Sequence, residues 1–349
     1  GEPLRLRQED VRMRGWAVES RLYAEDPVRN FLPSVGRLQR YRPPPEGPGD
    51  DGSLVRVDTG VEEGGEISVH YDPMVAKLCT VAPTRLEAIE AMGRALDDFE
   101  VEGIGHNIPF LAALMRHERF REGRLTTAFI AEEFADGFRG VDPSPAEARV
   151  LAAIAAFAHE ATERRAAAIT GALSHHPRRV GPHWVVNWGG EDHAVTVERQ
   201  ETGSLIRFGD EAVRVRSSWQ PGARHGHFTV DGVRHGIKID RVGPAHRLRW
   251  RGIDRLARVR SPRVAELARL MPVKPEPDTS KLLLCPMPGT VTSVLVKTGD
   301  TVEAGQPLAT VEAMKMENML RAERRAVVKR VAVEAGASLA VDELMMEFE

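Results

Sequence analysis

The sequence predicts an α+β protein built from several modules, and three observations carry that expectation. A single long Ala-rich helix is followed at once by about eight short strand-like runs. The last stretch, Lys281 to Glu349, repeats itself. The texture of the chain also changes twice, at about Val141 and at a Pro-rich stretch beginning at Pro272. A length of 349 residues suits two or three domains, and 42% hydrophobic residues suffice for buried cores. The expected division is 1–141, 142–271, a linker at 272–280, and 281–349.

The first segment mixes strand-like and helical patterns. Pro43-Pro44-Pro45 through Gly52 is a loop punctuated by Pro and Gly. Arg85 to Phe99 reads as a helix, with Leu86, Ile89, Ala91, Met92, Leu96 and Phe99 on a broad apolar face. A second helix is expected near Pro109 to Arg116.

The second segment opens on Ser144-Pro145-Ala146-Glu147. Ser144 can cap free N–H groups, Pro145 loses nothing at the first helical position, and Glu147 completes a capping box. The helix then runs to about Ala168, and its many small side chains make it a thin rod suited to tight surroundings. From His183 to about Val259, runs such as Trp184-Val185-Val186, Ala194 to Val197, Leu205 to Phe208 and Val213-Arg214-Val215 alternate with Gly-bearing turns. Asp231-Gly232 between Phe228-Thr229-Val230 and Val233 signals a hairpin. One helix before so many antiparallel strands suggests a barrel packed on that helix. Pro272 to Asp278 alternates Pro with charge, which gives an extended, semi-rigid spacer.

In the third segment Val291, Val294, Val296, Gly299, Val302, Leu308 and Val311 recur, 37 residues on, as Val328, Val331, Val333, Gly336, Leu339, Met345 and Phe348. Two copies of one strand–turn–strand pattern imply a small all-β flattened barrel with a quasi-two-fold axis. Glu312 to Asn318 falls between the copies, at an expected surface hairpin. Lys315 there is suited to being modified and moved, and Met314 and Met316 flank it with soft side chains that different protein surfaces accommodate. The plainer reading is a surface lysine between two core-facing methionines.

Several function classes are excluded. A net charge of -3 argues for neither nucleic acid nor an anionic membrane as partner. Cys79 and Cys285 lack metal-ligand spacing, so no disulfide framework or zinc site is expected, and a reducing compartment fits. The apolar run Val150–Ala158 is too short to span a bilayer, and Gly1-Glu2-Pro3 opens no secretory signal. A soluble, intracellular protein is expected, cytoplasmic in a bacterium or in the matrix of a mitochondrion. The first residues read as the middle of a longer chain. His175-His176, His225, His227 and His235 show no ligand spacing, so no metal is expected at them. Gly64-Gly65 and Gly103-Ile104-Gly105 lack the helix context of a phosphate loop. The basic run Arg247 to Arg260 reads as a solvated barrel face, with a partner surface as the other reading.

Ala313-Met314-Lys315-Met316, preceded by Pro286-Met287-Pro288-Gly289, resembles the biotin carboxyl carrier domain. The resemblance implies biotin joined by an amide bond to Lys315, with Ala313, Met314 and Met316 as its immediate setting, and a biotin protein ligase as the modifying partner. Lipoyl domains share the fold but usually carry Asp before the lysine. Arg325-Ala326 stands where the family usually has an Asp-Gly turn, which puts that local turn in doubt.

Gly15 to Arg21, Ala24-Glu25-Asp26-Pro27, Phe31-Leu32-Pro33-Ser34 and Tyr71 to Leu78 resemble the C-terminal part of biotin carboxylase. The resemblance implies that Arg56, in Val55-Arg56-Val57-Asp58, is the catalytic arginine that stabilises the biotin enolate. A guanidinium suits the task because it is always charged and donates in a planar fork. Without the resemblance Arg56 reads as an exposed strand arginine. The family's phosphate loop, Mg-binding Glu and Asn, and catalytic Glu lie upstream of these motifs, so no ATP-dependent carboxylation is expected of this polypeptide alone.

The middle segment is similar to the BT domain of the propionyl-CoA carboxylase α subunit, a long helix wrapped by an antiparallel barrel. That likeness implies docking of 142–271 onto a carboxyltransferase β subunit in a hetero-oligomer. Glu317-Asn318 after the carrier motif is also propionyl-type. The implied enzyme is a ligase that uses ATP, Mg2+ and bicarbonate, carries the carboxyl group on biotin, and delivers it to propionyl-CoA on the β subunit, giving methylmalonyl-CoA. Tethering makes each encounter intramolecular, at millimolar-scale effective concentration, and supplies orientation. A methylcrotonyl-, geranyl- or acetyl-CoA carboxylase α subunit is the alternative, and a scaffold that never receives biotin is a second.

Overall fold

The computed structural model describes residues 1, 3–49, 51–68, 71–170, 179–272, 279, 281–313 and 316–349. The expected α+β, multi-module architecture is present.

In the first module β1 (Trp16–Tyr23), β2 (Leu54–Thr59) and β3 (Met74–Ala82) form an antiparallel sheet in the order β1–β3–β2. α1 (Arg85–Asp98) covers it. Thr84 starts α1 with a capping box: the Glu87 amide donates to Thr84 Oγ1 at 3.3 Å and the Thr84 amide to Glu87 Oε2 at 2.9 Å. Ile89, Met92 and Leu96 pack on Leu22 and Leu78 of the sheet. Leu86 departs from its expected place on the apolar face and is 47% exposed. It sits in the first turn, before the helix has come down onto the sheet. Phe99 is buried but lies just past the helix, where the chain turns extended into Glu100–Glu102, paired with Arg40–Arg42. α2 (Ile108–Arg116) follows.

The second module is a helix enclosed by a barrel. Ser144 and Glu147 form the expected box at the head of α3 (Pro145–Ala167), and Glu147 also pairs with Arg116 of α2 at 2.8 Å. Eight consecutive strands close into an antiparallel barrel: β4 (His183–Trp188), β5 (Glu191–Gln200), β6 (Gly203–Phe208), β7 (Glu211–Ser217), β8 (His225–Val230), β9 (Val233–Val242), β10 (Ala245–Trp250) and β11 (Ile253–Arg260). β4 pairs back onto β11 and removes the free edges. Asp231 and Gly232, at φ 47° and 89°, make the two-residue turn between β8 and β9.

Val186, Ile206, Phe228, Ile237 and Leu248 share one core with Leu151, Ala152, Ala153, Ile154, Ala155, Ala156 and Ala158 of α3. A helix buried on all its faces is apolar all round. Alanine keeps this one thin enough to share the interior with bulky strand residues. A short helix, α4 (Pro262–Ala268), capped by Ser261, leaves the barrel and was not expected. Of the Pro-rich linker expected at 272–280, residues 273–278 and 280, like His175 and His176, lie outside the described residues.

The third module has two four-stranded sheets. β12 (Gly289–Val294), β13 (Pro307–Ala313) and β14 (Met316–Arg321) belong to one, β15 (Ala326–Val331) and β16 (Leu344–Phe348) to the other. Each half lends the other a short strand: Thr301–Val302 pairs with β15, and Ser338–Leu339 with β12. Gly299 donates to the carbonyl of Val328 at 2.8 Å, and 37 residues on Gly336 donates to that of Val291 at 2.7 Å. Both glycines hold φ 92°. The sequence repeat is therefore a repeat of hydrogen bonds and of core residues alike. Among the described residues no helix is long and apolar enough to cross a membrane.

Candidate functional site

The hairpin between the two halves of the third module is the candidate site. β13 and β14 pair from Pro307↔Arg321 up to Ala313↔Met316. Met314, Lys315 and the side chain of Met316 lie outside the described residues. Ala313, 3% exposed, anchors the end of β13 in the core.

The segment Pro286–Gly289 braces this hairpin from below. Gly289 runs so close to β13 that a Cβ there would stand 2.5 Å from the carbonyl oxygen of Glu312. Only glycine fits such an approach. The Asn318 amide nitrogen reaches Met287 Sδ at 3.4 Å, a weak tie between β14 and the same segment. Cys285 is buried and donates its thiol to the Met287 carbonyl at 3.0 Å. Burial pushes that thiol's pKa up, so it packs and does not react. Glu312 and Glu317 face each other across the hairpin, both exposed, and leave an acidic collar around its tip. Where the Asp-Gly turn was in doubt, Ala322–Arg325 makes the connection. The Ala322 amide donates to Gln306 O at 2.9 Å, and Arg325 pairs with Glu303 at 3.2 Å.

The third module also touches the first. Leu32 packs against the carrier core, and Arg29 Nη2 lies 3.6 Å from Asp342 Oδ1.

Arg56 lies on β2 opposite Cys79 of β3. Its side chain is 67% exposed, and its Nε donates to Asp58 Oδ1 at 2.9 Å. Alternation along the strand puts both on one face. The Asp58 hydrogen bond raises the guanidinium pKa further, so Arg56 is a permanent surface cation held in one direction.

Two features escaped the sequence reading. The basic strands are not simply solvated. Arg249 pairs with Glu102 of the first module at 3.3 Å and also with Asp240, and the Arg251 amide donates to Asp97 at 2.7 Å. His225 and His227, which lack ligand spacing between themselves and the other histidines, meet Asp98 at the end of α1. The signal for that meeting is tertiary, since Asp98 and His225 lie 127 positions apart.

A sheet covered by one helix, a helix inside a barrel and a two-sheet module with a tight hairpin are the three parts of the chain, and each is similar to a module of biotin-dependent enzymes. The family model for the biotin carboxylase C-terminal domain matches residues 19–132, that for the propionyl-coenzyme A carboxylase BT domain matches 151–274, and that for biotin-requiring enzymes matches 281–348. The propionyl-CoA carboxylase alpha chain of Ruegeria pomeroyi is 54% identical over 100% of this chain and 54% of its own length. The mitochondrial alpha chain of Mus musculus is 36% identical over 100% of this chain and 48% of its own. The biotin carboxylase domain of Hydrogenobacter thermophilus 2-oxoglutarate carboxylase, solved with MgADP, ADP and bicarbonate, is 39% identical over 38% of this chain and 28% of that one, at a TM-score of 0.35.

The chain is similar over its whole length to biotin-dependent acyl-CoA carboxylase α subunits. It spans about half the length of the curated relatives it matches.

Proposed function

We propose that this chain is the carrier and subunit-docking portion of a propionyl-CoA carboxylase α subunit, loaded with biotin on Lys315. The observation that carries the reading is the order of the three matched modules together with a hairpin whose strands pair up to Ala313 opposite Met316. Lys315 follows Ala313 by two positions in the sequence, and in this reading its modified side chain reaches a ligase and two active centres. The braced, glycine-crossed base of the hairpin supports this reading, because it ties β13 and β14 to the rest of the module.

The proposed division is 1–141, 142–271, a linker at 272–280 and the carrier at 281–349. Biotin, when bound, supplies a ureido nitrogen that accepts and releases a carboxyl group. Ala313 anchors the hairpin, while Met314 and Met316 offer deformable contacts to successive protein surfaces. Arg56 holds a permanent positive charge where anionic charge develops during carboxylation. The barrel and its helix dock on a carboxyltransferase β subunit. Mg2+, ATP and bicarbonate serve the complete α subunit, and biotin protein ligase loads Lys315.

The test is to assemble the α subunit with its β subunit and assay ATP- and bicarbonate-dependent carboxylation across a panel of acyl-CoAs. The reading expects propionyl-CoA to give the highest kcat/KM. Preference for methylcrotonyl-, geranyl- or acetyl-CoA, or no assembly at all, would overturn it.

A further inference from the structure

We propose that Asp98, His225 and His227 form a divalent-cation site of the zinc class that joins the first module to the barrel. Asp98 is the last residue of α1, and His225 and His227 are alternate residues of β8, so both imidazoles point to one face of the strand. His225 Nε2 lies 3.0 Å and His227 Nε2 3.1 Å from Asp98 Oδ1, with His227 Nε2 3.3 Å from Oδ2. The ligand atoms of all three residues lie within 4.8 Å of one another.

Tetrahedral zinc with bonds of about 2.0–2.1 Å holds its donor atoms about 3.3 Å apart. The two imidazole–carboxylate edges already have nearly that length. Two imidazoles and a carboxylate are also the donor types zinc takes.

The surroundings are shaped for the cluster. Gly236 of β9 stands opposite His227, and a Cβ on it would overlap the Asp98 carboxylate. The nearby cations have their own partners. Arg224 and Arg249 pair with Glu102, and Lys238 donates to the Leu96 carbonyl at 2.9 Å. None of them draws Asp98 away from the histidines. The His227 side chain is 38% exposed, which leaves a fourth coordination position open to water. With three protein ligands drawn from both modules, the ion fixes the barrel against the end of α1.

The rival arrangement is a metal-free latch, in which the two imidazoles hydrogen-bond to the carboxylate through Nε2. Metal analysis of the purified full chain, followed by titration of the chelator-treated protein with Co2+ and with Zn2+, separates the two. The site predicts one zinc per chain and a tetrahedral Co2+ absorption band. His227→Ala, at the most exposed ligand, should weaken binding by more than the 10–100-fold that outer-shell partners carry. Gly236→Ala should also weaken it, and His183→Ala, outside the cluster, should not. No stoichiometric zinc and no cobalt band, or binding unchanged in His227→Ala, would overturn the proposal in favour of the hydrogen-bonded latch.

Discussion

Gly289 crosses Glu312 so tightly that a single methyl group at Gly289 would press on the Glu312 carbonyl oxygen from 2.5 Å. The contact lies at the foot of the carrier hairpin and explains why Pro286-Met287-Pro288-Gly289 accompanies a lysine that follows it by 26 positions in the chain.

Gly289→Ala must therefore push β12 away from β13. Overpacking of this kind costs about 1–3 kcal/mol. Thermal unfolding should show a lower Tm, and biotin incorporation by the ligase should slow. A variant with unchanged Tm would show that the strand shifts freely.

Ala155 has 0% exposure inside the barrel. Ala155→Leu adds volume where α3 is already surrounded, at a cost of about 1–3 kcal/mol. The same change at Ala146, exposed in the first turn of α3, is the comparison, and denaturant titration should show the larger loss of midpoint for Ala155→Leu.

Acid should loosen the barrel. Burial, with Arg251 nearby, pushes the imidazole of His235 down to about 4. Burial, with His159 and Arg241, does the same to His246, also to about 4. Unfolded imidazoles titrate at about 6.5, so below that pH the unfolded chain binds protons that the folded chain refuses. The stability present above about pH 6.5 is lost as pH falls towards 4. Tm measured across this window should drop, and His246→Gln should flatten the slope even if it lowers Tm at neutral pH. An equal slope in the variant would assign the acid sensitivity elsewhere.

Arg56→Ala should leave biotin loading intact and cut biotin carboxylation in the complete α subunit by about 10²-fold or more, the usual loss on removing one donor to a developing oxyanion. Arg56→Lys keeps the charge without the fork and should recover only part of the rate. Full activity in Arg56→Ala would leave the residue as a surface cation paired with Asp58.

Much of this architecture was legible because its signals are local. Ser144-Pro145-Ala146-Glu147 announces α3, and Asp231-Gly232 announces a hairpin from two residues. The repeat predicts core positions as distant as Val291 and Val328, both at 0% exposure. Leu86 misled because helical periodicity does not say where the sheet beneath begins. Asp98 with His225 and His227, and Arg249 with Glu102, were not legible at all. Each joins a residue of the first module to a barrel strand more than a hundred positions away, and no spacing rule reaches across that contact. α4 carried a readable start at Ser261-Pro262 but is too short for periodicity to mark.

The central claim is the modified lysine. Co-expression with a biotin ligase, followed by intact-mass measurement of the chain and of its Lys315→Ala variant, tests it most directly. The account predicts the added mass of one biotinyl group on the parent chain and none on the variant. An unmodified parent chain, or a variant that still gains the mass, would contradict it.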